Sequence, residues 1–442
     1  MQLDNKSQKI AVIGGGIAGL SAAWLLNQSF SLSVFERANK IGGHANTVSL
    51  NIGTSNINAD IGFIVYNDFN YPNLVALFDY LNIQTQTSDM SFAISSRAGN
   101  FEYSSKFPIG LFGQKINLLR PMFWKMLFDV KRFYKKAPID LRTGNLRGLT
   151  LRDYLDKENY SYSFIVDHIL PMGAAIWSSP SMDINNYPAE SFIRFFESHN
   201  LLKLGKRSSW RTVTGGSRNY IDRLTADFTD KIFCNVNVKQ IIRHQDNVEV
   251  IDDKGNRNLF DEVILALHAD EALKLIYNPT KTEHQILSRF SYTSNSAFLH
   301  KDSTFMPKRK RVWASWNYIN NEDSDNISPQ VTYWVSNLQN LSYPKNLFLT
   351  LNPNTPPSPS KTYLSIKYHH PLFDTEAIKG QRQLSHIQGK NKTWFCGSYF
   401  GYGFHEDALQ SGLWVAEKLG KVKRPWSLPR QNDRLIASND NL

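Results

Sequence analysis

Residues 9–26 of the chain read KIAVIGGGIAGLSAAWLL, and this stretch decides the fold. Its continuous apolar run, Ile10–Ile13, is typical of a strand that is covered on both faces of a parallel sheet. Three glycines lead into Ile17–Leu26, which we predict to be a helix rich in small residues, and Leu32–Phe35 supplies a second strand. This strand–helix–strand order predicts a right-handed crossover and therefore an α/β fold.

Glycines stand at three positions of the turn, Gly14, Gly16 and Gly19. In a G-x-G-x-x-G turn the first glycine permits the tight bend, the second lets the backbone approach a pyrophosphate, and the third allows close packing of helix on sheet. A glycine triplet alone also fits a simple tight turn, but here Glu36 ends the second strand at the spacing of a ribose-binding carboxylate. Because that carboxylate would repel a 2′-phosphate, the pattern predicts FAD or NAD rather than NADP.

The segment 36–44, ERANKIGGH, adds a glycine pair directly after the carboxylate. It resembles the extended motif of the amine-oxidase-like flavoproteins, which include monoamine and polyamine oxidases, protoporphyrinogen oxidase and the carotenoid desaturases. The resemblance implies FAD as the cofactor and an oxidoreductase activity. In addition to the turn glycines and Glu36, the cofactor contacts that we assign on this basis are Arg37, Gly43, His44, Gly62, Val238 and Gly397.

Later stretches resemble the same superfamily, namely residues 214–217 (TGGS), 236–238 with 261–266 (DEVILA), and 393–397 (TWFCG) followed by 403–412. Two positions depart from its pattern, because His44 replaces a frequent arginine and Tyr399 replaces a frequent carboxylate. Glu406 or Asp407 would compensate by contacting the cofactor, although an acidic pair at a helix start is equally typical of helix capping.

We therefore expect a Rossmann-like FAD-binding domain with a mainly parallel sheet, and a discontinuous α+β substrate domain with a mixed sheet. The FAD-binding domain is predicted to comprise residues 1–70, 208–284 and 385–425, and the substrate domain residues 71–207 and 285–384. Residues 426–442 are predicted to form a flexible C-terminal tail.

The composition restricts the compartment and the partners. Two cysteines, Cys234 and Cys396, exclude a disulfide scaffold and fit a reducing compartment. No secretory signal and no apolar run long enough to span a bilayer is evident, so we expect a cytoplasmic protein. The net charge of +11 suggests an anionic partner, and charge alone leaves phospholipid, nucleic acid and acidic protein open.

The segment Lys106–Lys136 carries eight basic residues against one acidic residue. Apolar residues recur in it at helical spacing, namely Phe123, Met126, Leu127, Val130, Phe133 and Tyr134, and further apolar surface comes from Phe107, Phe112, Trp124 and Phe128. This combination predicts an amphipathic helix that lies in an anionic membrane interface on the inner face of the cytoplasmic membrane. The alternative is a helix packed on its own domain with solvated lysines. We favour the membrane surface as the partner and expect no nucleic acid.

Three strings resemble one bacterial subfamily more closely, namely residues 171–178 (PMGAAIWS), 313–318 (WASWNY) and 401–407 (GYGFHED). These FAD-binding proteins are found with methyltransferases of the cyclopropane-fatty-acyl-phospholipid synthase type. The resemblance implies a lipid or another hydrophobic substrate, dehydrogenation of a membrane fatty-acyl chain by hydride transfer to flavin N5, and a fatty-acyl methyltransferase as a partner.

The resemblance places Phe404 and His405 beside the flavin, and His405 is our candidate catalytic base. Two other functions stay open. One is the oxidation of an amine, an isoprenoid or a porphyrin by the same superfamily chemistry, and the other is a non-catalytic FAD-binding partner of a lipid methyltransferase. No histidine, cysteine or acidic cluster has a metal-ligand spacing, so we predict no metal site.

Overall fold

The computed structural model describes residues 8–177, 184–199, 201–202, 209–320, 330–342, 346–429 and 431–435. Within them, a five-stranded parallel sheet has the strand of the glycine turn at its centre. In spatial order its strands are Ile232–Cys234, Ser31–Glu36, Lys9–Ile13, Glu262–Leu265 and Thr393–Phe395. The predicted parallel unit is confirmed, and its helix has the predicted bounds, Ile17–Leu26.

Two apolar cores, one on each face of this sheet, explain the continuous apolar run of the first strand. Ile10 and Val12 pack into the core that also contains the helices Ile17–Leu26 and His405–Gly420. Ala11 and Ile13 point to the other core. Further helices beside this sheet are Pro72–Tyr80, whose Leu74 and Leu77 join the first core, and Arg218–Thr225, Ala269–Leu275, Lys281–Leu287 and Thr375–Gln381.

A second large sheet has seven strands and is mixed, as expected for the substrate side. In spatial order its strands are Thr362–Leu372, Ser291–His300, Phe348–Leu351, Gln330–Trp334, Trp316–Asn320, Phe92–Ser96 and Phe101–Ser104. All neighbours are antiparallel except Trp316–Asn320 and Phe92–Ser96, which are parallel. The expected fold class, α/β with a parallel and a mixed sheet, is confirmed.

Three smaller sheets and a set of helices complete the described part of the chain. The strands are Val238–Arg243, Val248–Asp252 and Arg257–Phe260 in one sheet, Thr47–Ile52 and Ser55–Asp60 in another, and Tyr66–Asn67, Trp210–Val213 and Thr85–Ser88 in the third. The helices are Pro121–Thr143, Leu151–Lys157, Tyr162–Phe164, a π-helical turn Ile165–Ile169, Leu170–Trp177, Ala189–Ser198 and Val335–Leu338.

Two predicted strands have different bounds. The sequence predicts one strand over residues 232–238, but Asn235 has a left-handed φ of +58° and turns the chain, so that Val238 begins a different sheet. It also predicts a strand over residues 312–318, whereas the strand is Trp316–Asn320. The side chain of Asn317 bonds the backbone of Ala314, which keeps the preceding residues in a turn.

The helix predicted within Lys106–Lys136 is Pro121–Thr143. The apolar positions that suggested a membrane face, Phe123, Met126, Val130 and Phe133, are buried in the main core of the mixed-sheet half. Packing on the protein itself therefore accounts for this stripe. A different set of apolar side chains in the same segment, including Phe107, Leu119 and Phe128, is exposed.

The C-terminal segment was expected to be a flexible tail. In its described part, the ring of Trp426 stacks on that of Trp24 with centroids 5.9 Å apart, and its indole N–H donates to the side-chain oxygen of Asn73. Leu435 is buried. These residues pack against the rest of the protein.

Candidate functional site

The glycine turn has the geometry that a closely approaching ligand needs. Gly14 has φ +110°, a conformation that side chains disfavour. A Cβ atom on Gly19 would lie 2.1 Å from the carbonyl oxygen of Gly14, so this glycine allows the helix to pack against the turn. A Cβ atom on Gly16 would meet no protein atom within 4 Å, because the position faces an open cavity. The helix N-terminus that follows presents free N–H groups there.

Glu36 is held rigidly at the end of its strand. One carboxylate oxygen accepts the backbone N–H of Gly15 at 2.7 Å, and the other accepts the N–H of Ala38 at 2.8 Å. The carboxylate lines the cavity, and a carboxylate oxygen has two lone pairs, so it can also accept ribose hydroxyls. Arg37 lines the same end and forms an ion pair with Glu271 at 2.8 Å.

The second glycine pair packs directly onto the first turn. The N–H of Gly42 donates to the carbonyl of Gly15 at 2.7 Å. Gly43 has φ +56°, and its Cβ would lie 3.2 Å from the Cα of Gly16. A Cβ on Gly62 would lie 2.2 Å from the carbonyl oxygen of His44. A Cβ on Gly42, which has φ +113°, would lie 2.6 Å from the carbonyl oxygen of Ala45, so close approaches explain glycine at all three positions.

Most of the predicted contact residues line one cavity of about 1100 Å³. Its volume exceeds the roughly 300–1,000 Å³ of an ordinary small-molecule site. The predicted residues that line it are Gly14, Gly16, Glu36, Arg37, Gly43, His44, Gly62, Val238, Gly397 and His405. Gly19, Glu406 and Asp407 do not line it.

For Glu406 and Asp407 the structure supports the capping alternative. The carboxylate of Glu406 accepts the backbone N–H groups of Asn73 and Leu74, both at 2.9 Å, and so caps the helix Pro72–Tyr80. Asp407 accepts the N–H of Phe404 at 2.7 Å and caps its own helix. Burial raises the pKa of Asp407 to about 6, against the opposing charge of Arg434.

His44 presents a neutral ring to the cavity. Burial, helped by the nearby His370 ring at 5.6 Å, lowers the pKa of His44 to about 3. Its Nε2 atom is buried without a hydrogen-bond partner among the described residues. An orphaned ring nitrogen that faces a cavity indicates that a bound group completes the site.

His405 lies at the start of the last helix and also faces the cavity. Its ring stacks on that of Phe63 with centroids 4.0 Å apart, and its Nε2 is 2.5 Å from the hydroxyl of Tyr220. Burial lowers its pKa to about 3, so the imidazole is neutral at pH 7. Its assignment as catalytic base stays a prediction.

The other end of the cavity is apolar and aromatic. Side chains from the mixed sheet and from helical segments form it, including Phe92, Met172, Ile176, Trp177, Phe195, Trp210, Trp316, Tyr333, Leu349 and Ile366. In the described lining the carboxylates are Glu36 and Glu271, both at the glycine end. The sequence does not mark these residues as a cavity lining, although Met172, Ile176, Trp177 and Trp316 fall within two of the strings that carry the resemblance.

The glycine end fits the adenine dinucleotide part of FAD. Gly16 leaves open space beside the helix N-terminus for a pyrophosphate, Glu36 offers ribose-binding oxygens, and His44 has a free ring nitrogen. In the described residues no group of three or more metal-ligating side chains occurs, and no helix is both long enough and apolar enough to cross a bilayer.

Comparison with known proteins identifies structures of similar fold. Among solved structures, a double mutant of putrescine oxidase matches with a TM-score of 0.67 and 16% identity, covering 94% of this chain and 99% of the other. A fatty acid isomerase from P. acnes matches with 0.65 and 14%, covering 94% and 98%. Cyclohexylamine oxidase from Brevibacterium oxydans matches with 0.61 and 14%, covering 93% and 99%. These likenesses show a shared fold.

Among curated protein sequences, none matches the chain significantly. The sequence profile of flavin-containing amine oxidoreductases, however, matches residues 17–381, which is most of the chain. The protein is an FAD-dependent oxidoreductase and belongs to the flavin-containing amine oxidoreductase family.

Proposed function

We propose that the enzyme dehydrogenates a fatty-acyl chain, forming a carbon–carbon double bond. The observation that carries this proposal is the apolar end of the cavity, which offers contacts for a hydrocarbon chain and, in the described lining, no carboxylate that would bind a cationic amine. The likeness of fold to a fatty acid isomerase supports a fatty acid as a substrate that this architecture can accommodate.

The residues have distinct roles in this proposal. Bound FAD supplies the redox chemistry by accepting a hydride. The aromatic and aliphatic wall positions the chain and excludes water, which would otherwise capture the electron-deficient carbon left after hydride loss. The C–H bond next to such a carbon is strongly acidic, so a weak, neutral base is sufficient to take its proton. We propose the imidazole of His405 as that acceptor, with its Nε2–H donating to the hydroxyl of Tyr220 and the lone pair of Nδ1 taking the proton.

The test is single-turnover reduction of the FAD-loaded enzyme, followed as bleaching of the oxidised flavin absorption band. We expect bleaching by phospholipid vesicles or free fatty acids whose chains carry a methyl branch, and a product that mass spectrometry finds two hydrogens lighter. Bleaching by amines, isoprenoids or porphyrinogens but not by acyl chains would refute the acyl substrate and indicate that the enzyme oxidises one of those other compounds. His405→Gln is expected to lower the amount of the product two hydrogens lighter that forms per flavin reduced, at unchanged flavin content, whereas an unchanged product yield would remove His405 from the mechanism.

We also propose that a fatty-acyl methyltransferase supplies the substrate. The support is the resemblance of residues 171–178, 313–318 and 401–407 to proteins found with such enzymes. Lipid mass spectrometry of cells with and without the gene would test this arrangement, and accumulation of methylated saturated chains in its absence is the expected result. If instead methylation itself fails while flavin is never reduced by lipid, the protein acts as a non-catalytic partner.

A further inference from the structure

An exposed apolar protrusion lies between Phe107 and Phe128. Of the fifteen large hydrophobic side chains that are exposed in the described part of the chain, eight belong to this short segment. Phe107, Leu119 and Phe128 are 78%, 79% and 72% exposed. We call the surface formed by Phe107, Leu118, Leu119, Met122, Trp124 and Phe128 the apolar tip.

The apolar tip is continuous and preformed. The rings of Phe107 and Phe112 are 6.3 Å apart, and those of Phe112 and Trp124 are 6.2 Å apart. The indole N–H of Trp124 donates to the carbonyl of Leu118 at 2.9 Å. On the side facing the protein interior, the buried side-chain amide of Asn117 donates to the carbonyl of Glu102 at 2.9 Å and so anchors the segment. Because these contacts hold the segment in shape, its backbone and the Trp124 ring do not need to be ordered on binding.

Positive charge surrounds the apolar tip. On the helix Pro121–Thr143, Lys131 and Lys135 follow Trp124 and Phe128 on the same face, at spacings of three to four residues. Lys125 and Lys115 are also exposed. Within the described residues these four lysines form no ion pair, whereas Arg132 and Lys136 of the same helix are paired with acidic groups. An apolar aromatic tip beside unpaired lysines is complementary to acyl chains beneath anionic headgroups.

The apolar tip adjoins the apolar end of the cavity. Phe92, which lines the cavity, exchanges hydrogen bonds with Ser105, two residues before Phe107. On its other side Phe92 is paired with Trp316, which also lines the cavity. Docking through the tip would therefore bring the apolar end of the cavity towards the bilayer.

We infer that the apolar tip docks the enzyme on an anionic lipid bilayer, with Trp124 and Phe128 among the acyl chains and the lysines at the headgroups. The evidence for docking is the apolar tip and its lysines, and it does not depend on the proposed substrate. The further consequence, that acyl chains enter the cavity from the bilayer, rests on the proposed function.

The experiment is co-sedimentation of the FAD-loaded, full-length protein with vesicles of phosphatidylcholine alone or mixed with phosphatidylglycerol. We expect binding to the mixed vesicles, weakening as salt is raised. Because each lysine near an anionic surface contributes about fivefold in binding, Lys125→Gln with Lys131→Gln is expected to lower the partition coefficient by about 25-fold. Leu119→Ser with Phe128→Ser is expected to lower it by at least about tenfold.

The matched controls replace an exposed leucine and an exposed lysine elsewhere. Leu259→Ser and Lys254→Gln should bind like the wild type, and all variants should keep their flavin content, since the altered side chains are exposed. Equal binding to neutral and anionic vesicles, no binding to either, or tip variants that bind like the wild type would overturn the inference. Vesicle binding without oxidation of any acyl chain would contradict the proposed substrate but not the docking. Oxidation of dispersed fatty acid without vesicle binding would contradict the docking but not the proposed substrate.

Discussion

Replacing either of two glycines in the first turn should separate cofactor binding from folding. Gly16 has φ −80°, which alanine can adopt, and its added Cβ would enter only the cavity. Gly16→Ala should therefore cost the flavin-free protein no more than the roughly 0.5–1 kcal/mol lost when a helix N-cap becomes alanine. The methyl group occupies the approach of the pyrophosphate. The loss of one hydrogen bond to a charged group, about 1.5–3 kcal/mol, corresponds to about a 10- to 150-fold higher Kd for FAD.

Gly19→Ala is the matched comparison, because its Cβ would meet the backbone oxygen of Gly14 at 2.1 Å and the Cβ of Ala266 at 3.0 Å. Here the helix itself must shift, so the free energy of unfolding should fall by about 1–3 kcal/mol even without FAD. The measurements are fluorescence titration of flavin-stripped protein with FAD and denaturant unfolding of the same samples. A Gly16→Ala variant that binds FAD like the wild type, or that destabilises the flavin-free protein as much as Gly19→Ala, would refute the reasoning.

Three further predictions concern buried polar groups. His405 has a folded-state pKa of about 3 against about 6.5 for an ordinary histidine, so the unfolded chain binds its proton first as pH falls. Between about pH 6 and pH 4 the free energy of unfolding of the wild type should therefore fall by about 1.4 kcal/mol per pH unit on account of His405, and His405→Gln should remove this contribution. An unchanged pH dependence of the free energy of unfolding would contradict the lowered pKa of His405. Tyr220→Phe removes the hydroxyl beside Nε2 of His405 and should destabilise the protein by about 1–3 kcal/mol in denaturant unfolding, while no change would mean that a neighbouring group replaces the bond. Glu283→Gln breaks the buried ion pair with Arg243 and should cost about 3–5 kcal/mol. Asp156→Asn, at the exposed pair with Arg152, should cost below about 1 kcal/mol, and equal effects at the two sites would count against burial as the cause.

The glycine end of the site could be predicted from the sequence because its determinants are local. The strand, turn and helix of residues 9–26 and the carboxylate of Glu36 lie within a few dozen residues, and each residue type follows from backbone geometry. The apolar end could not be located in this way. Met172, Trp316 and Ile366 meet there from segments far apart in the chain, and no local pattern distinguishes a cavity wall from an ordinary core position.

The helix Pro121–Thr143 illustrates a second limit. Its sequence has apolar residues on two faces, and periodicity selects the stronger stripe, which the structure buries through Phe123 and Phe133. Trp124 and Phe128 were part of the predicted apolar surface, but that they are exposed while the dominant stripe is buried emerges only when the packing partners are known. Glu406 shows the same dependence on distant partners. Capping was one of the two roles considered for it, but the helix that it caps begins at Pro72, more than three hundred residues earlier.

The distribution of charge in the cavity is consistent with the proposed chemistry for a reason beyond the exclusion of amines. A carbon that has lost a hydride is captured by any carboxylate or water molecule that reaches it. In the described lining the carboxylates lie at the dinucleotide end, and burial keeps His44 and His405 neutral. The faces of aromatic rings, by contrast, stabilise positive charge without forming a bond to it. Phe92, Trp177 and Trp316 supply such rings at the apolar end. A wall of this kind stabilises the developing cation electrostatically. Because no nucleophile of the described wall bonds to it, the cation reacts further by losing a proton, which forms the double bond.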